Sequence, residues 1–318
     1  MTLINLQCAG DNGNTGIQSC SWNPSNITGA IMLPKGKSYT ATDVAVLWTT
    51  LQADVKDDAK SKRIYPIGAF KAITDNSTEV QIETDGYGGQ TFVRDGDYNW
   101  TFEYKNGMCF YKALRTFHTK NSSFDVLFID EVNNILWGTE NSNGELQGFS
   151  LELLIVPNIK INDGSASTKY MITFGLSDPA ELNDNSYAVS FPNNQKLMKL
   201  SGLLDTTLTA TSTINATTGD VTVTLTSACG ATDLAELYPT ELIDLTPAPA
   251  FIVYNTTLAA AVAITGIVVN GNVITITTDA TDHAAGNVCT IQFGNVSDVE
   301  ALGILGYAQS NVVSVTVA

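Results

Sequence analysis

Between Asp85 and Tyr104 the chain reads DGYGGQTFVRDGDYNWTFEY. Two chemistries fit its residue types. Gly86, Gly88 and Gly89 are the kind of cluster that cradles a phosphate. Asp95, Asp97 and Asn99 are the kind that holds calcium. Neither spacing works. As a calcium loop, the sharp-turn glycine position falls on Trp100 and the bidentate glutamate position on Asn106. A phosphate loop needs a glycine turn opening a helix, but GYGG runs into QTFVR, which alternates like a strand. Turn chemistry accounts for the stretch: glycines in one reversal, Asp95-Gly96 in another, strands between.

Other chemistry is sparse. There are 2 histidines, His118 and His283, and both read as surface or capping residues. No phosphate-binding lysine loop, nucleophile elbow or zinc-protease helix motif occurs. No Ser, Asp or Glu spacing picks out a catalytic pair, although carboxylates can still meet through space. The chain is therefore expected not to be an enzyme and to carry no cofactor or metal. The 5 cysteines, Cys8, Cys20, Cys109, Cys229 and Cys289, are widely spaced with no CxxC. Buried thiols are the expectation, with Cys8–Cys20 or Cys229–Cys289 as the possible pairs. Seven N-x-S/T sequons follow from a composition rich in Asn and Thr.

The elements that must position these residues are mostly strands. The 318 residues suffice for two or three domains, and 44% apolar content supports a core. Charged residues are scarce at 15%, below the usual ~25%. The formal net charge is −16, which argues against gripping nucleic acid. That charge is divided: 16 basic residues stand against 22 acidic ones before residue 200, and none against 10 after it, giving −6 and −10. A domain boundary is placed there, at 203/204. The start of the chain lacks a basic, apolar leader, and no apolar run is long enough to span a bilayer.

Residues 1–40, rich in Gly, Asn and Ser, read as an extended arm or long loop. One helix is expected over 43–60. Thr42 would be its cap, Asp43 would favour the dipole, and Val44, Leu47, Trp48, Leu51 and Val55 would form one face. Strands are expected at 78–84, 90–94, 98–104, 123–130, 134–138 and 168–176, and at 146–161 with a break at Pro157. A short helix is expected at 108–117. Residues 177–203 read as a connection. About seven short strands follow from 204 to 318, with an Asn270-Gly271 hairpin between two of them. This suits an immunoglobulin-like sandwich without the Cys-Trp-Cys hallmark. The expected fold class is mainly β: a sandwich or barrel with one flanking helix, then the second sandwich.

The runs PIGAFKAITDNSTEVQIETDGYGGQTFVRDGDYNWTFEYKNG and NGELQGFSLELLIVPNIKINDGSASTKYMITFGLSDPAEL resemble structural proteins of tailed bacteriophages. The order of helix, β-rich region and terminal sandwich is similar to that of tail tube proteins with a C-terminal immunoglobulin-like domain. The resemblance implies stacked hexameric rings in a virion, assembled in the host cytoplasm from copies of this chain with other virion proteins. It also implies a lumen that passes DNA without specific binding, an outward C-terminal domain, and no membrane partner. An acidic surface suits such a lumen, because like charge discourages sticking. It makes the arm 1–40 and the hairpin near 85–97 candidate contacts between copies, with Asp85, Tyr87, Gly89, Arg94, Asp95, Asp97 and Trp100 the residues in question. Two alternatives remain. One is a capsid component (major capsid, decoration or head-fibre protein), against whose commonest form the single clear helix argues. The other is a carbohydrate- or surface-binding module using exposed aromatics such as Tyr87 and Tyr254.

Overall fold

The computed structural model describes residues 24 and 26–318, apart from 105–106, 133, 162–163, 165–167 and 228–231. The chain is mainly β and divides into two compact units, the first ending at Ser201 and the second comprising Gly202–Ala318 together with the short segment Lys56–Asp58.

The strands of the first unit are β1 (Ile27–Pro34), β2 (Ser38–Tyr39), β3 (Tyr65–Ile67), β4 (Phe70–Asp75), β5 (Gln81–Thr84), β6 (Gln90–Arg94), β7 (Asn99–Tyr104), β8 (Phe124–Asp130), β9 (Ile135–Glu140), β10 (Leu146–Gln147), β11 (Phe149–Ile155), β12 (Tyr170–Leu176) and β13 (Ser186–Ser190). Its helices are α1 (Ala41–Ala45), α2 (Leu47–Val55), α3 (Gly107–Arg115) and α4 (Pro179–Asn183). All but β5 and β6 join one 11-stranded sheet that runs β2-β10-β9-β8-β11-β12-β7-β4, with β1 and β13 branching from β8 and β9. Every ladder is antiparallel.

The sheet folds over on itself. Ala30, Met32, Val126, Phe128 and Trp137 from one half meet Trp100, Phe102, Phe149, Ile172 and Phe174 from the other in a shared core. Its rings interlock: Phe70 stacks on Phe102 at 4.6 Å, and Trp100 meets Phe128 edge-on at 5.4 Å. The opposite face of the β1–β8–β9 half carries Ile31, Leu127, Ile129 and Leu136. These pack on Val44, Leu47, Leu51 and Val55 of the helices, giving a helix–sheet–sheet stack.

The helical segment starts earlier, ends earlier and is broken. Thr40 is the N-cap rather than Thr42, because its side chain and Asp43 form a reciprocal capping box. Val46 interrupts the helix, and it stops at Val55 instead of continuing to 60. The apolar face is as the spacing predicts, with Val44, Leu47, Leu51 and Val55 buried.

Residues 1–40 are not an arm throughout. Ile27–Pro34 is an interior strand pairing β8 on one side and β3 on the other. ITGAIMLP is buried on both faces, so it shows an apolar run instead of alternation. Beyond its end, the Lys35 ammonium lies 2.7 Å from the fully buried Asp125 carboxylate, which also accepts from Gly36 N. Residues 1–23 of the expected arm lie outside the described residues. The 146–161 run breaks at Gly148, and its strand ends before Pro157, at Ile155. The 177–203 connection contains β13, which pairs β9 from Ser186 to Ser190.

The second unit, Gly202–Ala318, contains β14 (Thr206–Ala210), β15 (Asp220–Ser227), β16 (Phe251–Asn255), β17 (Ala260–Val262), β18 (Ile264–Asn270), β19 (Val273–Thr278), β20 (Val288–Phe293) and β21 (Val313–Thr316), with helices α5 (Leu234–Leu237) and α6 (Val296–Ala301). Two 4-stranded sheets run β14-β15-β19-β18 and β17-β16-β20-β21. Lettered in chain order, these are ABED and C′CFG, the immunoglobulin arrangement with one C′ strand. The run 262–269 splits between β17 and β18, which adds this strand. Alternation is strict in β15, where Val221, Val223 and Leu225 enter the core and Thr222, Thr224 and Thr226 face out.

Candidate functional site

The chemistry-bearing stretch forms the outer part of a long hairpin. At its base, β4 pairs β7 through Asp75↔Trp100. The ladder continues outward through Asn76 N to Asn99 O (2.8 Å) and Thr78 N to Asp97 O (2.9 Å). It ends in β5–β6, which form a separate 2-stranded sheet. Gly96 is required where the strands pinch together, since a Cβ there would overlap the Thr78 carbonyl oxygen.

At the tip, Gly88 has φ +85°, and the turn closes by Asp85 N to Gly89 O at 2.8 Å. The Asp85 carboxylate accepts from Tyr87 N at 2.9 Å and Gly89 N at 2.7 Å. Asp85 therefore fixes its own turn. Tyr87 stands fully exposed at 102%.

The hairpin has two unlike faces. Ile82 pairs Phe92 across the strands, and Val80 precedes Ile82 at strand spacing. These side chains are 55%, 60% and 49% exposed, respectively. Gln81, Glu83, Thr91 and Arg94 occupy the polar pairs. Such alternation normally marks a strand with one side on a core, yet every residue of β5 and β6 is exposed. A lone two-stranded hairpin is marginal in water, and among the described residues no layer covers this apolar face.

The predicted contact residues separate accordingly. Asp85, Tyr87, Gly89, Arg94 and Asp95 lie on the exposed arm, with Asp97 half-buried at its root. Arg94 and Asp97 approach to 3.7 Å, a solvent-exposed pair of small energetic weight. Trp100 does not belong with them. It is 8% exposed and packs on Phe128 and Trp137 of its own unit. The reason is its strand: β7 has neighbours on both sides, β4 and β12, so its Trp100–Phe102–Tyr104 face turns into the sandwich. Sequence reasoning missed Val80, Ile82 and Phe92. Alternation flagged their strands but could not show that these side chains are left exposed.

Below the arm lies a pocket of about 300 Å³ lined by Pro24, Asn26, Ile27, Phe70, Lys71, Ala72 and Ile73. Nothing in the sequence singled these residues out. Among the described residues, no three His, Cys, Asp or Glu side chains gather to hold a metal ion, and no helix is long and apolar enough to cross a membrane.

Both histidines are structural. His118 Nδ1 accepts from Val156 N at 3.1 Å. His283 is buried rather than superficial, with Nε2 2.8 Å from the Thr278 hydroxyl. Cys289 is a free, buried thiol, and burial raises its pKa. That rules out the Cys229–Cys289 pair. Cys109 is disulfide-bonded, contrary to the expectation of thiols throughout. The remaining cysteines lie outside the described residues. No protein-family model matches the chain, and no curated protein matches it.

Proposed function

We propose that this chain is an assembling structural subunit of a tailed-phage virion, with the tail tube the best fit. In this reading, copies form stacked hexameric rings around a lumen that passes DNA, and the immunoglobulin-like unit decorates the outside. The observation that carries it is the arm. A projecting hairpin with an exposed apolar strip and a fully exposed tyrosine is costly for an isolated molecule and useful only in contact with another surface. The rest agrees with a scaffold. The interior is aromatic-rich, the two histidines serve the fold, and the net charge of −16 opposes adhesion to DNA.

Electron microscopy of the purified full chain over a concentration series tests the proposal. Rings or tubes are the expected result. A monodisperse monomer at high concentration that binds glycans would overturn it in favour of a surface-binding module. A closed shell would move the chain to the capsid.

A further inference from the structure

We infer that the pocket at the base of the arm is the receptor for the arm tip of a second copy, with Tyr87 as the plug. This rests on the assembly reading above and adds to it the surface that receives the arm.

Three observations converge. The first is size. A pocket of about 300 Å³ sits at the small end of the ~300–1,000 Å³ range of ligand sites, room for one aromatic side chain rather than an extended substrate. The second is chemistry. Phe70, held by its stack on Phe102, is a core residue only 5% exposed and closes the floor of the pocket, while Ile73 is half exposed and supplies the apolar surface. A tyrosine ring packs on such an aliphatic surface and keeps its hydroxyl at the wet rim. The third is charge. Lys71 lines the pocket and makes no ion pair among the described residues. The tip it would meet is acidic, with Glu83 and Asp85 beside Tyr87.

The contact must form between copies. Tip and pocket lie at opposite ends of one hairpin, separated by roughly 40 Å of strand at about 3.3 Å per residue, so a copy cannot plug itself. Plug and socket are also different patches. Each copy gives one and receives one, which produces a closed ring or an open filament instead of a two-fold dimer. The tip is already ordered by the Asp85 carboxylate, so docking sacrifices little freedom.

The test places a benzophenone photo-crosslinking residue at position 87 of the full chain and mixes isotopically light and heavy protein. Crosslinks between light and heavy copies, landing on 24–27 or 66–73, are expected. Crosslinks between copies on any other surface, including residues 1–23, overturn the pocket assignment while leaving assembly standing. A monomer with no such crosslinks overturns both. Two variants sharpen the result. Tyr87→Ala removes the plug, and Ala72→Trp fills the socket. Each should raise the concentration needed for assembly at least tenfold, as expected for a central aromatic anchor. Mixed together, they retain one good tip and one good pocket and should stop at dimers. Assembly of Ala72→Trp at wild-type concentrations would exclude the pocket. Reciprocal charge reversal, Lys71→Glu with Glu83→Lys, should recover what either change alone loses.

Discussion

Two hairpins in this chain obey the same local rules and end in opposite circumstances. β18–β19 turns at Gly271-Asn272, one residue beyond the Asn270-Gly271 turn expected, with Gly271 at φ +57°, and sends Ile267, Ile274 and Ile276 into the core of the second unit. β5–β6 turns at Gly88, again with positive φ, and sends Ile82 and Phe92 to one side. Among the described residues no second layer covers them, and both side chains are exposed. Both therefore turn on a positive-φ glycine and align apolar side chains across the strands. What separates them is a facing sheet. The first hairpin finds its partner within its own unit, through β16, β20 and the elements around them. The second has none among the described residues, and in the proposed assembly a neighbouring copy supplies it. An alternating strand announces that one face is to be buried and is silent about which molecule buries it.

The largest expected effects come from the buried side of this comparison. Phe102→Ala empties a position shared by Phe70, Phe128 and Phe174. It should cost about 3–5 kcal/mol, read as a shift in the denaturation midpoint of the first unit. Ile276→Ala, in the covered hairpin, should cost about 2–5 kcal/mol in the second unit's transition. A loss below about 1 kcal/mol there would mean the covered hairpin is as loosely held as the arm, and the comparison would collapse.

Smaller effects come from the helix cap. Thr40→Ala removes the hydroxyl that caps Asp43 N and should cost about 1 kcal/mol. Its pH dependence has a definite sign. Hydrogen bonds from the Thr40 hydroxyl and Thr40 N hold the Asp43 carboxyl below its usual pKa. A group depressed in the folded state stabilises above its unfolded pKa, and that contribution fades as pH falls through the folded value. The gap between wild type and Thr40→Ala should therefore be widest near neutrality and narrow in acid. A gap that stays constant through the carboxylate range would show that Asp43 takes no part.

The sequence was most informative where pattern and burial share one cause. The NWTFEY alternation placed Trp100, Phe102 and Tyr104 on one face, and the helix spacing named Val44, Leu47, Leu51 and Val55 before any coordinates. It was least informative where burial on both sides erases periodicity, as in ITGAIMLP, which sat within a region read as an arm. The strand SYAVS was missed for another reason. Its neighbour β9 is some 50 residues earlier, and such pairing leaves no local mark. The site was half legible. Glycine spacing located the turn, and Asp85, Tyr87 and Arg94 lie on the arm. Trp100, offered as a candidate contact, lies instead in the core of its own unit, because its face meets the other half of the sheet.

The smallest expected effect on stability is also the most decisive. Ile82→Ser together with Phe92→Ser removes the apolar strip of the arm. Both side chains are more than half exposed, so the substitutions should change the monomer's unfolding free energy by no more than the ~0.5 kcal/mol typical of exposed positions. The arm itself should persist, because the Asp85 turn and the Gly96 pinch are untouched. Assembly should nevertheless be lost, because the surface a neighbour would cover has become polar. If the double variant instead destabilises the isolated chain by more than about 1 kcal/mol, Ile82 and Phe92 are already buried by something within it. The arm would then be an ordinary hairpin like β18–β19, with its covering layer in the same molecule.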